Sequence, residues 1–86
     1  MEIKKELIKR EIAGDVILVP VGKAVLDHNG LFVLNELGTF LWDRIPAAEA
    51  EQDLVAAVLE AYEVTPEIAA ADTHEFLMQL KELDIL

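Results

Sequence analysis

Cysteine and serine are both absent from this sequence, and its four glycines stand singly. A chain without cysteine has no disulfide framework, no thiolate nucleophile and no cysteine-ligated metal site, and isolated glycines form no phosphate-binding loop. No apolar run approaches the roughly 20 residues that cross a bilayer, and the charged N-terminus lacks the apolar core of a signal peptide. We therefore expect a cytoplasmic protein that carries no cofactor.

Positive charge is also scarce. The sequence has 7 Lys+Arg against 17 Asp+Glu, which gives a formal net charge of −10. Four of the seven cations lie in the first ten residues, and Lys81 is the only cation in residues 46–86, which hold ten acids. Nucleic acids and anionic membranes are bound through cations that displace counterions or meet lipid headgroups. We expect neither as a partner.

The first third of the chain predicts a β-hairpin. Residues 7–12 are a short run of mixed apolar and charged side chains, and residues 16–19 are a β-branched run that favours a strand. The Ala-Gly-Asp sequence at 13–15 separates them and is a turn signal, because Gly14 can take a positive φ.

A second hairpin is predicted around the Asn-Gly pair at residues 29–30. Apolar runs at 24–28 and 31–34 flank this pair, and both of its residues tolerate the left-handed conformations of a tight turn. The first third therefore predicts a small antiparallel sheet.

From Asn35 onward the apolar period becomes helical. Asn35 is a good N-cap for a first helix that Pro46 ends, and Thr65 is the cap of a third helix that opens with Pro-Glu. Trp42 is expected at the margin of the first apolar stripe. The stripes of the three helices are, in order, Leu37, Leu41 and Ile45; Leu54, Val55, Val58, Leu59 and Tyr62; and Ala69, Thr73, Phe76, Leu80 and Leu83.

The length of 86 residues and the hydrophobic content of 53% predict one folded domain over residues 1–86. The order of its elements predicts an α+β fold, winged-helix-like, with a three-stranded antiparallel sheet followed by three helices.

No catalytic or metal-binding pattern is present. The hydroxyl side chains are those of three threonines and one tyrosine, and Thr65 is better explained as a helix cap. His28 and His74 stand apart and match no metalloprotease or calcium-loop spacing. We expect neither an enzyme nor a metal site.

A winged-helix fold raises the question of DNA binding, in which the third helix would enter the major groove. The third helix and the residues after it carry five acids against Lys81. DNA phosphates would repel such a helix, so the fold is expected to serve another purpose.

Residues 31–34 predict a strand with apolar side chains on both faces. Alternation places Leu31 and Val33 on one face and Phe32 and Leu34 on the other. The simpler interpretation is that the helices cover one face and local structure covers the other. The second interpretation is an open sheet edge, which can accept a strand of another chain through main-chain hydrogen bonds.

Residues 34–42, with the sequence LNELGTFLW, resemble a hallmark of the PqqD family. The hallmark is a strand that ends in Leu-Asn-Glu, a small residue shortly after it, and a helix with Leu-Trp. The REIAG sequence at 10–14 and the Thr-Pro-Glu start of the third helix support the resemblance, which covers roughly residues 7–86.

The resemblance implies a small peptide-binding module, also called a RiPP recognition element, that binds the leader segment of a ribosomally made precursor peptide. Such a module presents the leader to a modifying enzyme, which is a radical SAM protein in pyrroloquinoline quinone (PQQ) biosynthesis. The leader would add as a strand along the third strand and lie against the third helix. Carried over to this chain, the implied peptide-binding residues are Leu31, Phe32, Val33, Leu34, Asp72, Thr73, Phe76, Leu77 and Leu80.

Two other functions stay open at this point. A small structural or dimerisation subunit could form homodimers through the same sheet edge, and a winged-helix transcription regulator would share the fold. The pathway is also open, because the family serves many peptide products. The acidic charge favours a ligand that carries Lys or Arg, since complementary charge steers association.

Overall fold

The computed structural model describes residues 1–22 and 32–86. The described residues form strands β1 (Leu7–Ile12), β2 (Asp15–Pro20) and β3 (Phe32–Leu34), then helix α1 (Glu36–Arg44), a 3-10 turn (Ile45–Ala47), helix α2 (Glu51–Ala61) and helix α3 (Pro66–Glu82).

The three strands form one antiparallel sheet in the order β1-β2-β3. The predicted fold class, a three-stranded antiparallel sheet followed by three helices, is confirmed. The strand predicted at 24–28 and the turn predicted at 29–30 lie outside the described residues.

A two-residue turn joins β1 to β2, because Ile12 pairs directly with Asp15. Both turn residues have positive φ, 53° at Ala13 and 86° at Gly14. This combination is that of a type I′ turn, whose twist matches the twist of the flanking strands. The positive φ of Gly14 was expected. That of Ala13 was not, because residues with a Cβ rarely take this conformation.

Side-chain caps fix the starts of α1 and α3 as predicted. The Asn35 Oδ1 atom accepts a hydrogen bond from the Gly38 amide at 2.7 Å. The Thr65 hydroxyl oxygen accepts one from the Ile68 amide at 3.3 Å. Each cap satisfies an amide that has no partner within its helix.

The core lies between the inner face of the sheet and the three helices. Its fully buried large side chains are Leu18, Leu41, Ile45, Leu54, Val58, Thr73, Leu77, Leu80 and Ile85. Three sequence-based placements were wrong. Trp42 is buried rather than marginal, whereas Leu59 and Leu83 are 37% and 38% exposed, because Leu59 lies on the solvent side of α2 and Leu83 follows the last residue of α3.

The C-terminus folds back after α3 and closes the core. Asp84 takes a positive φ of 58°, and the Ile85 amide then donates to the Leu80 carbonyl at 2.8 Å. The Ile85 carbonyl accepts from the Lys4 amide at 2.7 Å. The two ends of the described chain therefore meet behind α3, on the side of the core that Ile85 fills.

Candidate functional site

Two adjoining clefts lie between β3 and α3. Their volumes are about 310 Å³ and about 280 Å³, and both are lined by Asn35, Phe76 and Gln79. The first cleft is completed by Asp15 and the three residues of β3, and the second by Leu37, Gly38, Asp72 and Glu75. Because they share three residues, the clefts form one continuous depression, which we call the β3–α3 groove.

Two aromatic rings line this groove. Phe32 of β3 and Phe76 of α3 meet edge to face, with centroids 6.2 Å apart and an interplanar angle of 73°. Gly38 allows α1 to approach the Phe76 ring, since a Cβ at this position would lie 3.1 Å from Phe76 Cε1 and 3.1 Å from Asn35 Oδ1. The small residue of the hallmark sequence therefore stands where α1, β3 and α3 converge.

The hydrogen-bond alternation of the sheet shows which backbone groups face the free side of β3. In a two-residue hairpin the flanking pair, here Ile12 and Asp15, exchanges both hydrogen bonds. Alternate residues of β2 then bond to β1, and the Val21 amide continues this pattern by donating to the Glu6 carbonyl at 2.9 Å. The residues between them, Val16 and Leu18, must bond to β3.

The register of β2 and β3 completes this assignment. Val16 is opposite Leu34 and Leu18 is opposite Phe32, so these are the hydrogen-bonded pairs, and Val33 opposite Ile17 is not. The Val33 amide and carbonyl therefore point away from β2, towards the open side of the sheet. Within residues 1–22 and 32–86, β3 pairs with β2 alone.

The strand residues implied by the resemblance fall into different environments. Val33 is 61% exposed, Phe32 is half-buried, and Leu34 is buried with its side chain in the core. Leu31 lies outside the described residues. Phe32, Val33 and Leu34 all line the groove, so β3 forms one wall of it.

The helix residues implied by the resemblance fall into two groups, one that lines the groove and one that lies in the core. Asp72 is exposed and Phe76 is 9% exposed, and both line the groove. In contrast, Thr73, Leu77 and Leu80 are fully buried and lie on the core side of α3. They offer a peptide no surface, so their binding role has no support in the geometry.

Sequence reasoning did not include Glu75 and Gln79 in this wall. Asp72, Glu75 and Gln79 stand three and four residues apart, which places them on one face of the helix. Extending the helical spacing from Asp72 would have found them. The Asn35 cap was recognised, but its position in the groove depends on where α1 meets β3.

The charged residues that line the groove are all acidic among the described residues. Asp15, Asp72 and Glu75 supply carboxylates to the groove, and no Lys or Arg is among the described residues that line it. Two of the described cations form ion pairs outside the groove: Lys9 pairs with Asp43 at 2.7 Å, and Lys4 with Asp84 at 3.4 Å. The groove is therefore suited to a ligand that is apolar or positively charged.

No cluster of metal-binding side chains is found in the described part of the chain. It holds no group of three or more His, Asp and Glu side chains that could bind a metal ion. His74 pairs with Glu51 at 3.1 Å on the surface of α3, away from the groove. Among the described helices, none is long and apolar enough to span a bilayer.

The fold and the groove define a small α+β module in which β3, within the described residues, has one free edge beside a cleft lined by apolar and acidic side chains. The model of the PqqD family, described as coenzyme PQQ synthesis protein D, matches residues 16–86, and the chain belongs to this family. PqqD domains are peptide-binding modules without catalytic activity. The match begins within β2, so β1 and its turn lie outside it.

A solved structure has the same fold. It is TbiB1 in complex with the TbiA(beta) leader peptide, with 21% identity, a TM-score of 0.75, and coverage of 100% of this chain and 94% of TbiB1. The search of curated proteins gives no match.

Proposed function

We propose that this protein binds the leader segment of a ribosomally made precursor peptide and presents it to a peptide-modifying enzyme. The observation that carries the proposal is the Val33 edge, whose amide and carbonyl face outward beside the β3–α3 groove. Membership of the PqqD family and the similarity to TbiB1, which is in complex with a leader peptide, support the same function.

The bound segment extends the sheet as a fourth strand. A peptide residue opposite Val33 exchanges two hydrogen bonds with it and points its side chain to the outer face, as Val33 does. The residues on either side of it then point towards Phe32 and Phe76. The motif that this groove selects is therefore apolar at two positions separated by one residue.

Edge pairing alone is too weak to hold the peptide. Two main-chain hydrogen bonds contribute about 1–3 kcal/mol net, less than the roughly 4 kcal/mol of even millimolar binding. Side chains that enter the groove supply the larger part, and basic residues near them are steered by the carboxylates on the rim.

The enzyme that receives the peptide is part of the proposal. A radical SAM protein is one candidate, and PQQ biosynthesis is one of the pathways that a PqqD domain could serve. A cytoplasmic location stays a prediction.

An amide NMR titration of the isotope-labelled protein tests the proposal. The probe is the synthetic leader half of a precursor peptide encoded beside the gene, with duplex DNA at low salt as the control. We expect shifts at Val33, Asn35 and Gly38 and along Asp72 to Gln79, with none on DNA addition. Shifts with DNA alone would favour the transcription regulator. No shifts with either the leader peptide or DNA, together with a concentration-dependent dimer in light scattering, would favour the dimerisation subunit.

A further inference from the structure

A third cleft continues the β3–α3 groove towards the start of α3. Its volume is about 230 Å³, and it shares Leu37 and Asp72 with the neighbouring cleft. The other described lining residues are Glu36, Val58, Tyr62, Val64, Ile68 and Ala69. We call it the α2–α3 cleft, because it lies where α2 ends and α3 begins.

Two apolar side chains that line the α2–α3 cleft are exposed to solvent. Ile68 is 51% exposed and Val64 is 38% exposed. Tyr62 is half-buried, with its ring edge to face with Phe40 at a centroid distance of 5.2 Å. The cleft is smaller than the roughly 300–1,000 Å³ pockets that hold small-molecule ligands. Its size and lining suit one large apolar side chain.

The spacing along α3 gives the distance between the two sites. Ile68 and Phe76 are eight residues apart, which is about 12 Å at 1.5 Å per residue. An extended peptide covers that distance with about four residues at 3.3 Å each. A peptide that pairs antiparallel with β3, as the other strands do, passes the end of β3 with its N-terminal part. That part then runs over Asn35 and Leu37.

We propose that the α2–α3 cleft is a second subsite of the same peptide, which binds a large apolar side chain about four residues N-terminal to the strand-adding segment. This inference rests on the proposed function, and it adds a second contact on the same bound peptide. The continuity of the clefts indicates one ligand rather than two. Glu36 and Asp72 on the rim favour a Lys or Arg beside the apolar residue.

The variant Ile68→Glu places a charged side chain in the apolar subsite without weakening helix α3. Ile68 is the third residue of α3 after the Thr65 cap, and a glutamate there completes a capping box with the threonine. Met78→Glu is the matched control. It adds the same charge to the same helix at a side chain that is 41% exposed and that lines none of the three clefts.

The experiment is a selection from a displayed library of random twelve-residue peptides on the wild-type protein, Ile68→Glu, Met78→Glu and Val33→Pro. We expect wild type and Met78→Glu to enrich the alternating apolar pair plus an apolar residue about four positions upstream. Ile68→Glu should keep the pair and lose the upstream preference. In fluorescence anisotropy, an enriched peptide should bind Ile68→Glu about tenfold or more weakly and Met78→Glu within about twofold of wild type.

The outcomes separate the subsite from the proposed function. Enrichment of the alternating pair without an upstream preference on wild type, or an unchanged upstream preference on Ile68→Glu, would overturn the subsite and leave the function standing. No enrichment on wild type, or the same sequences on Val33→Pro, would overturn strand addition and the subsite with it.

Discussion

Thr73 is a residue of α3 that the family resemblance implies as a peptide contact and that the structure buries in the core. It is the buried polar side chain of the described core, and its hydroxyl has no hydrogen-bond partner there. A buried hydroxyl without a partner costs folding free energy that an isosteric methyl group does not. Its polar character therefore gives no evidence for peptide recognition, because the side chain lies on the core side of the helix.

The change Thr73→Val tests this interpretation. We expect the free energy of unfolding to rise by roughly 1 kcal/mol, measured by urea denaturation, with peptide affinity unchanged. Thr39→Val is the matched control, because the Thr39 hydroxyl donates to the Asn35 carbonyl at 2.9 Å and its loss should lower stability. A Thr73→Val protein that is as stable as wild type but binds more weakly would return Thr73 to the binding site.

The residues of the site were only partly predictable from the sequence. The Asn35 and Thr65 caps depend on a few neighbouring residues, so local chemistry was enough to find them. The division of α3 into a core side and a groove side depends on what packs against it. Ile85 fills the core behind Leu80 after a positive φ at Asp84, and no helical pattern predicts that turn.

At the scale of elements, the proposed peptide contact depends on β3, which is a strand of three residues. The strand is short, and Phe32 and Leu34 use their backbone groups on β2. Only Val33 directs an amide and a carbonyl to the open side among the residues of this strand. The sequence predicted an apolar strand here, but the side on which each backbone group lies follows from the register, which depends on the two-residue turn between β1 and β2.

The change Val33→Pro tests this assignment directly. Proline removes the outward amide without removing a hydrogen bond to β2, and edge positions tolerate it. We expect circular dichroism to show a folded protein and calorimetry to show a loss of peptide affinity of about tenfold or more, because a peptide carbonyl is left without its donor. Val33→Ala keeps the amide and serves as the control for the lost side chain.

Two results would contradict the register argument. Full binding by a folded Val33→Pro protein would mean that the peptide does not pair with β3. Unfolding of Val33→Pro would instead show that the Val33 amide belongs to the β2–β3 ladder, in which case hydrogen exchange on the wild type should find it protected without peptide.

At the scale of the whole molecule, charge is distributed unevenly. The net charge is −10, and the described lining of the three clefts contributes Asp15, Glu36, Asp72 and Glu75 without a cation. Two of the seven cations, Lys4 and Lys9, form ion pairs with Asp84 and Asp43 outside the groove. The field of the molecule therefore attracts positive ligands to the binding face.

This field predicts a salt dependence that varies with the charge of the peptide. The probes are one groove-binding peptide with two lysines beside its apolar residues and the same peptide with glutamines in their place. Raising the salt from about 0.01 M to 1 M shortens the Debye length from about 30 Å to about 3 Å. In stopped-flow fluorescence the association rate of the lysine peptide should fall about tenfold, and that of the glutamine peptide should change little. Dissociation rates should change less for both, because apolar contacts inside the groove are weakly screened. Equal salt dependence for the two peptides would mean that the carboxylates of the rim do not face the bound chain and would move the binding site away from α3.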